Sequence, residues 1–537
     1  RLGRTLAGEG HFVLVGGDAG VGKSRLCAEL EALARARRAL VLHGNLADQA
    51  SAFPYFGFCE ILVDFFKGRE TQSDAHPLPD LGDLAPDLVG LFPPLGEIEA
   101  LRPGGGEGAA APPAAPRTID NRLQLFETLA RALVRLAATG PLVLIFEDIH
   151  AADASIEALH YVARRLVATP TLIIATYRSS EVDRGHPIHR MIEDLKGSRR
   201  FASLTVGSLS RTEHRQLLTT LLGDAPVPDA LADRLYEATE GNPFFTREVV
   251  RSLVAADGGQ AADAWTLVSP SHLSSALPAT IQQAIDRRIE RLPDDLREVL
   301  ACAAVLGRSF DARDLAELAR DHSDLDEALD RLIEEGLLEE DRAARGDRLS
   351  FLSGMVREVL YAQIPRRRRR ALHRRYAAYL EGRYAGRLER VYAQLLHHYA
   401  EGDVPERSVH YGIRAARLSL DAFSADEAIR AARTALEFLD EEWEGEPAAV
   451  GEVRGILAAA HRMAGDLDAS LREIEAAIAC YDRLGLAEEL LRALLLAAKT
   501  AWQARRTDDA RRWVDLGITA ARARAAHDAL GNFLALA

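Results

Sequence analysis

Gly17, Asp18, Ala19, Gly20, Val21, Gly22, Lys23 and Ser24 have the spacing of a phosphate-binding loop: a glycine, four residues, then Gly-Lys-Ser. The chemistry is specific to those residue types. Glycines let consecutive backbone N–H groups turn toward an oxyanion, and a helix starting at the loop adds its positive dipole end. Lys23 is expected to be a solvent-facing cation for the β- and γ-phosphates, and Ser24 offers a hydroxyl to Mg²⁺. Arg25 follows directly and is counted with the binding loop. A second acidic signal comes from Val143, Leu144, Ile145, Phe146, Glu147 and Asp148, an apolar run that ends in two carboxylates. One acid would serve a metal ion and the other an attacking water. By position Glu147 takes the metal and Asp148 the water, and a one-residue shift would exchange them. Arg178, at the end of another apolar run from Thr171 to Tyr177, is a candidate sensor of the γ-phosphate. A surface arginine at a strand end is the plainer reading of that residue.

Such groups need a sheet edge to converge on. His11, Phe12, Val13, Leu14, Val15 and Gly16 read as a strand running into the loop, and Leu26, Leu30 and Leu33 mark the helix that follows. Further apolar runs at 40–42, 142–146 and 171–176 alternate with helical patterns, as a parallel sheet with crossover helices requires. The glycine- and proline-rich stretch at 103–116 interrupts this region and reads as a mobile surface loop. From about Asp183 onward the chain is mostly helical. Near 336–351 two short apolar runs flank a polar turn at Arg345, Gly346 and Asp347, the pattern of a hairpin after several helices, which points to a winged helix. Beyond about Leu388, Ala428, Ala469 and Ala510 recur every 41 residues, the mark of a helical solenoid with units longer than the ~34 residues of a tetratricopeptide repeat.

Bulk composition narrows the class. A chain of 537 residues exceeds one core, 48% apolar with 27% charged residues is globular, and the net charge of −14 argues against a generally basic nucleic-acid-binding body. No DNA-binding module is evident, and no apolar run reaches the ~18 residues of a membrane span. Cys27, Cys59, Cys302 and Cys480 lack zinc or disulfide spacing and read as reduced thiols of a cytoplasmic protein. The chain opens at Arg1 and stops in helical-looking sequence, so a fragment of something longer is expected. The run of five arginines from Arg366 to Arg370 reads first as a solvated helix face or an internal partner for acidic helices. His397 and His398, adjacent on a helix, point in different directions, which argues against a metal site.

Taken in order, these motifs resemble the bacterial STAND regulators whose ATPase module is similar to the origin-recognition type of AAA+ domain. Such modules occur in large transcriptional activators with a terminal helix-turn-helix and in cyclase- or kinase-linked proteins. The resemblance rests on the phosphate loop; on Phe146, Glu147, Asp148, Ile149, His150, Ala151, Ala152 and Asp153; and on Ala175, Thr176, Tyr177 and Arg178 followed by Glu181. It continues with Glu240, Gly241, Asn242, Pro243, Phe244 and Phe245 followed by Glu248; with Leu277 and Pro278; and with Ala303, Ala304, Val305, Leu306 and Gly307 followed by Phe310. It implies four units: an α/β P-loop NTPase core at 1–182, a helical lid at 183–275, a winged helix at 276–383 and a tetratricopeptide-like α-solenoid at 384–537.

It also implies a switch that holds ADP when off and exchanges it for ATP when a small-molecule or protein inducer engages the solenoid. Weak ATP hydrolysis and self-association in the ATP state would follow. Pro243 would lie at the adenine side of the nucleotide and Arg178 would sense the third phosphate. Two departures stand out: Ala151 replaces the usual Trp, and Ser353 stands where a histidine that helps lock the ADP state is expected. The rival readings are a remodelling AAA+ ATPase with steady turnover and a scaffold stabilised by nucleotide.

Overall fold

In the computed structural model, residues 1–45, 54–70, 81, 83–98, 101, 122–183, 185–222, 227–256, 281–322, 324–340, 347–439, 447–523 and 526–535 are described. The expected loop at 103–116, Leu277 with Pro278, and the Arg345–Gly346 part of the hairpin turn lie outside them.

Five parallel strands form the first sheet: β1 (His11–Gly16), β2 (Leu40–Asn45), β3 (Leu142–Glu147), β4 (Thr171–Tyr177) and β5 (Phe201–Thr205), in the order β2-β3-β4-β1-β5. Alternation along the strands gives the sheet two different faces. Phe12, Leu14, Leu42, Leu144, Phe146, Ile173 and Ala175 enter one core with the helices Phe56–Glu70, Arg122–Ala137 and Asp153–Leu166. Val13, Val15, Val41, Val143, Ile145, Leu172 and Ile174 enter a second core under Leu2–Leu6 and Lys23–Ala36. Strands covered on both faces read as unbroken apolar runs, which is why the sequence exposes them so clearly. Because all five are parallel, Gly16, Glu147 and Tyr177 end at one edge of the sheet. Strand β1 lies between β4 and β5: the connection from β1 runs toward β2 while that from β4 crosses to β5, so the connections part at the C-terminal ends of β1 and β4, where ligands of such sheets bind.

The rest is largely helical. Arg211–Leu221 starts with a capping box between Ser210 and Glu213, and packs with Asp229–Thr239 and Pro243–Ala256 around Leu218, Leu235 and Val249. Beyond Ile281–Glu290 and Asp294–Leu306 comes a small antiparallel sheet in the order β6-β8-β7, from β6 (Ser309–Asp311), β7 (Leu338–Glu340) and β8 (Arg348–Phe351). The β7/β8 pair is the hairpin expected from sequence, with Leu338 opposite Phe351. Strand β6, three residues long, carries no sequence signal; it pairs Phe310 with Leu349.

After Gly354–Gln363 and Arg366–Arg383, helices from Tyr392–Glu401 to His527–Leu534 follow one another. Ala428, Ala469 and Ala510 sit buried in the first turns of Ala425–Glu437, Leu467–Leu484 and Thr507–Ala523, where a larger side chain would push neighbouring helices apart. A single apolar core runs from Phe244 through Val299, Leu360, Leu380 and Leu395 to Leu457, and a separate one runs from Ala458 to Phe533. The helical arm also returns to the α/β unit. Phe423 packs against its core, and Arg430 donates to the Ala151 carbonyl at 3.4 Å.

Candidate nucleotide site

The loop after β1 depends on glycine where its neighbours come closest. Gly22 sets the start of Lys23–Ala36 at φ 104°, in the left-handed region. Gly20, at φ 81°, faces the turn at 241–245, and a Cβ there would lie 3.0 Å from both Asn242 Oδ1 and Phe244 Cβ. Asn242 ties that turn to the loop: its Nδ2 donates to the Ala19 carbonyl at 3.1 Å, and its Oδ1 accepts from the Phe244 and Phe245 amides. Pro243, expected beside a nucleotide, opens the helix Pro243–Ala256 immediately next to this contact. Asn242 and Phe244, rather than Pro243, are the bonded partners: the Phe244 amide also donates to the Gly20 carbonyl at 3.3 Å.

Lys23 corrects an expectation. It is buried, 8% exposed, and not solvent-facing. Its ammonium donates to the carbonyls of Gly17 at 2.8 Å and Asp18 at 2.9 Å. Burial lowers its pKa, against an opposing pull from Asp148. A short flexible loop with a cation and no large apolar side chain folds onto that cation, since a buried ammonium without acceptors costs more than the loop's freedom. Phosphate oxygens would compete with those carbonyls for the same donor. Arg25 points outward and pairs with Glu29 at 2.6 Å.

The acids at the end of β3 occupy different surroundings. The Ser24 hydroxyl donates to Glu147 Oε2 at 3.0 Å. Two hard oxygens that meet at the foot of a phosphate loop fit Mg²⁺, which takes one or two protein oxygens and completes its shell with water and phosphate. Asp148 adopts a left-handed backbone, φ 51°, and its amide donates to Thr176 Oγ1 at 3.0 Å. That turn takes its carboxylate out of line with Glu147 and buries it. There Arg308 Nη1 donates to Asp148 Oδ2 at 3.0 Å, while its other terminal nitrogen lies 3.8 Å from Glu147. Arg178 reaches the same cluster, 2.6 Å from Glu181, 3.6 Å from Glu358 and 3.9 Å from Asp148. His150 pairs with Glu181 at 2.9 Å; burial lowers its pKa in spite of the carboxylates around it. Ser353 caps Gly354–Gln363 without a side-chain bond, and a Cβ on Gly354 would lie 3.6 Å from the Arg178 guanidinium. The Ser353 position therefore stands beside the arginine expected to read the third phosphate.

Arg308 escaped the sequence reading. It lies between Gly307 and Phe310, inside a stretch already singled out, yet a lone arginine 160 residues from its partner has no periodicity to betray it. The arginine run at 366–370 behaves as its plainer reading implies: Arg368 pairs with Glu298, Arg370 lies 2.7 Å from Asp403, and Arg369 stacks on Tyr361.

Residues 1–174 match the AAA ATPase domain family, and residues 210–257 match a domain family of unknown function. An uncharacterized protein of Rhizobium meliloti is 27% identical over 392 residues, covering 69% of this chain and 35% of that protein. The chain thus spans about a third of the length of this curated relative. Similar solved structures include a signal transduction ATPase with numerous domains (STAND) carrying a tetratricopeptide repeat sensor, from Pyrococcus horikoshii, at 14% identity and TM-score 0.41 over 100% of this chain and 84% of that one. A Walker-type ATPase of Pyrococcus abyssi matches at 17% identity and TM-score 0.29, over 65% of this chain and 90% of that one. The Drosophila origin recognition complex bound to DNA matches at 14% identity and TM-score 0.20, over 65% of this chain and 88% of that one.

Proposed function

We propose that the chain, whose residues 1–174 match the AAA ATPase domain family, is an ATP-dependent signalling switch, part of a transcriptional regulator in the cytoplasm. Residues 1–182 bind and slowly hydrolyse ATP, 183–275 act as a helical lid, 276–383 as a winged helix and 384–537 as a tetratricopeptide-like arm for a small-molecule or protein inducer. The observation that carries this reading is Arg308 on Asp148. An arginine from the downstream unit bonds the carboxylate expected to act on water, so hydrolysis is coupled to where that unit sits. Mg²⁺ held by Ser24 and Glu147 would neutralise phosphate charge. Lys23 would bind the terminal phosphates, Arg178 would turn from Glu181 and Glu358 toward the third, and Asp148, once released by Arg308, would orient the nucleophile.

An inducer shifts this equilibrium only by binding one arrangement of the arm more tightly than the other. Self-association in the ATP form would follow release of the downstream unit. Arg308→Ala is expected to raise basal ATP turnover by about 10-fold or more, the scale of one charge-assisted hydrogen bond of about 1.5–3 kcal/mol. Arg308→Lys should fall between. Turnover in Arg308→Ala at or below the parent level would sink the proposal. Fast turnover in the unsubstituted chain alone would favour a remodelling machine instead.

A further inference from the structure

A second cluster of reactive side chains lies where Arg366–Arg383 meets Tyr392–Glu401. The sequence sets His397 and His398 in different directions on their helix, yet their ring centroids lie 5.0 Å apart. His373, from the neighbouring helix, closes the gap. Its ring centroid lies 5.6 Å from that of His397 and 5.0 Å from that of His398. Each of the three offers a ring nitrogen, and these nitrogens lie within 4.8 Å of one another. His373 and His398 are fully enclosed.

The proton arrangement follows from the hydrogen bonds. Tyr361 has one hydroxyl proton and donates it to Glu401 Oε2 at 3.0 Å. Its oxygen then accepts from His373 Nε2 at 2.9 Å, which places the His373 proton on Nε2 and leaves the Nδ1 lone pair facing His398 Nδ1 at 2.8 Å. His398 must carry the proton between them, so its Nε2 is a bare lone pair, enclosed and without a partner. A buried acceptor left unpaired costs free energy unless something binds it. An imidazole whose other N–H is held by a phenol and carboxylate in series is oriented as metal-binding histidines are.

We propose that His373, His397 and His398 bind a divalent transition metal of the zinc class, with a fourth position left to water, and so tie Arg366–Arg383 to Tyr392–Glu401. Three imidazoles with one open position suit Zn²⁺; binding would break the hydrogen bond between His373 Nδ1 and His398 Nδ1, leaving His373 Nδ1 and the bare His398 Nε2 to turn, with His397, toward one ion at ~2.0–2.1 Å. Burial disfavours the charged form of all three imidazoles, which keeps them in the neutral form that a metal takes. Arg357 and Arg369, whose guanidiniums lie 5.6 and 4.9 Å from the Tyr361 ring centroid, oppose any added cation, and Glu401 offsets them.

The test uses the full chain, treated with chelator and kept free of nucleotide, titrated with Co²⁺ and then with Zn²⁺. The expected result is one equivalent of Co²⁺ with a ligand-field absorption band that Zn²⁺ displaces, and a rise in Tm. His397→Gln, at the least buried of the three positions, should lose the band while keeping its far-ultraviolet circular dichroism. Tyr361→Phe keeps all three imidazoles and should weaken binding ~10–100-fold. No saturable band at one equivalent, or an undiminished band in folded His397→Gln, would overturn the proposal. If His397→Gln does not fold, unchanged affinity in Tyr361→Phe does so.

Discussion

Glu147 and Asp148 are neighbours in sequence with different partners, and the partners support the proposed division of roles, metal to Glu147 and water to Asp148. Ser24 holds Glu147 at the foot of the phosphate loop, while the left-handed turn at Asp148 delivers its carboxylate to Arg308. Asp148→Asn is expected to retain ATP affinity and lose hydrolysis by roughly 10²-fold or more, because an amide can accept a hydrogen bond but cannot take a proton from water. Glu147→Gln should instead weaken the Mg²⁺ dependence of binding. Equilibrium titrations with and without Mg²⁺, beside single-turnover hydrolysis, separate the two, and the opposite pattern would exchange the roles. At this scale the sequence was most informative where chemistry is local: the loop from Gly17 to Ser24 and the acid pair can be read because spacing alone encodes them. Arg308 and His373 could not be read that way. Each acts on partners brought close only by folding, 160 residues away for Asp148 and 25 for His398.

Among the elements, those with a period were legible and those without one were not. The four strands announced by apolar runs are β1 to β4; β1, β3 and β4 are buried along nearly their whole length, and β2 buries Val41 and Leu42. Strand β5, half-exposed to exposed, and β6, three residues long, lack that signature. The Arg211–Leu221 helix shows how a helical face can hide a polar device. His214 is buried against Thr246, 3.0 Å from its hydroxyl, and burial lowers its pKa. It is therefore neutral in the fold, whereas the unfolded chain takes up a proton below about pH 6.5. The unfolded state then binds more protons, so this histidine's contribution to stability falls as pH drops below that value, by at most about 1.4 kcal/mol per pH unit. His214→Asn, which keeps a hydrogen-bonding amide but cannot titrate, should flatten the acid limb of a plot of Tm against pH between about 6.5 and 5. Parallel plots for the two proteins would remove His214 from the account.

For the molecule as a whole, the helical arm does not hang from its own end of the chain; it touches the α/β unit directly. Phe423 packs on that unit's core and Arg430 bonds the carbonyl of Ala151, three residues after Asp148. This second path complements the covalent one through 281–383. A cut after Glu381 would break inside Arg366–Arg383 and strip Leu395 and Tyr399 from the shared core, so point substitutions test the arm more cleanly. Phe423→Ala should cost about 1–2 kcal/mol of docking, from partial burial at ~25 cal/mol per Å². It should speed release of a fluorescent ADP analogue several-fold without lowering the affinity of the phosphate loop. Release at the parent rate would mean that the contact is passive.

The single apolar core from Phe244 to Leu457 has a thermodynamic consequence. The sequence divides this region at 275/276 and 383/384, but side chains on both sides of the second boundary share one interior, and the core begins on the helix whose turn bonds the phosphate loop. Regions that share an interior open together, since exposing one part removes the cover from the rest. Amides of Gly354–Gln363, Arg366–Arg383 and Pro405–Asp421 should therefore exchange with solvent deuterium as one cooperative block, while Leu467–Leu484 and the helices beyond it, packed in the separate core, exchange as another. The boundary between the blocks falls inside Ala449–Ala464, where Leu457 belongs to one core and Ala458 to the other. A single helix is thus the joint at which unfolding of the outer arm would stop before it reached the nucleotide.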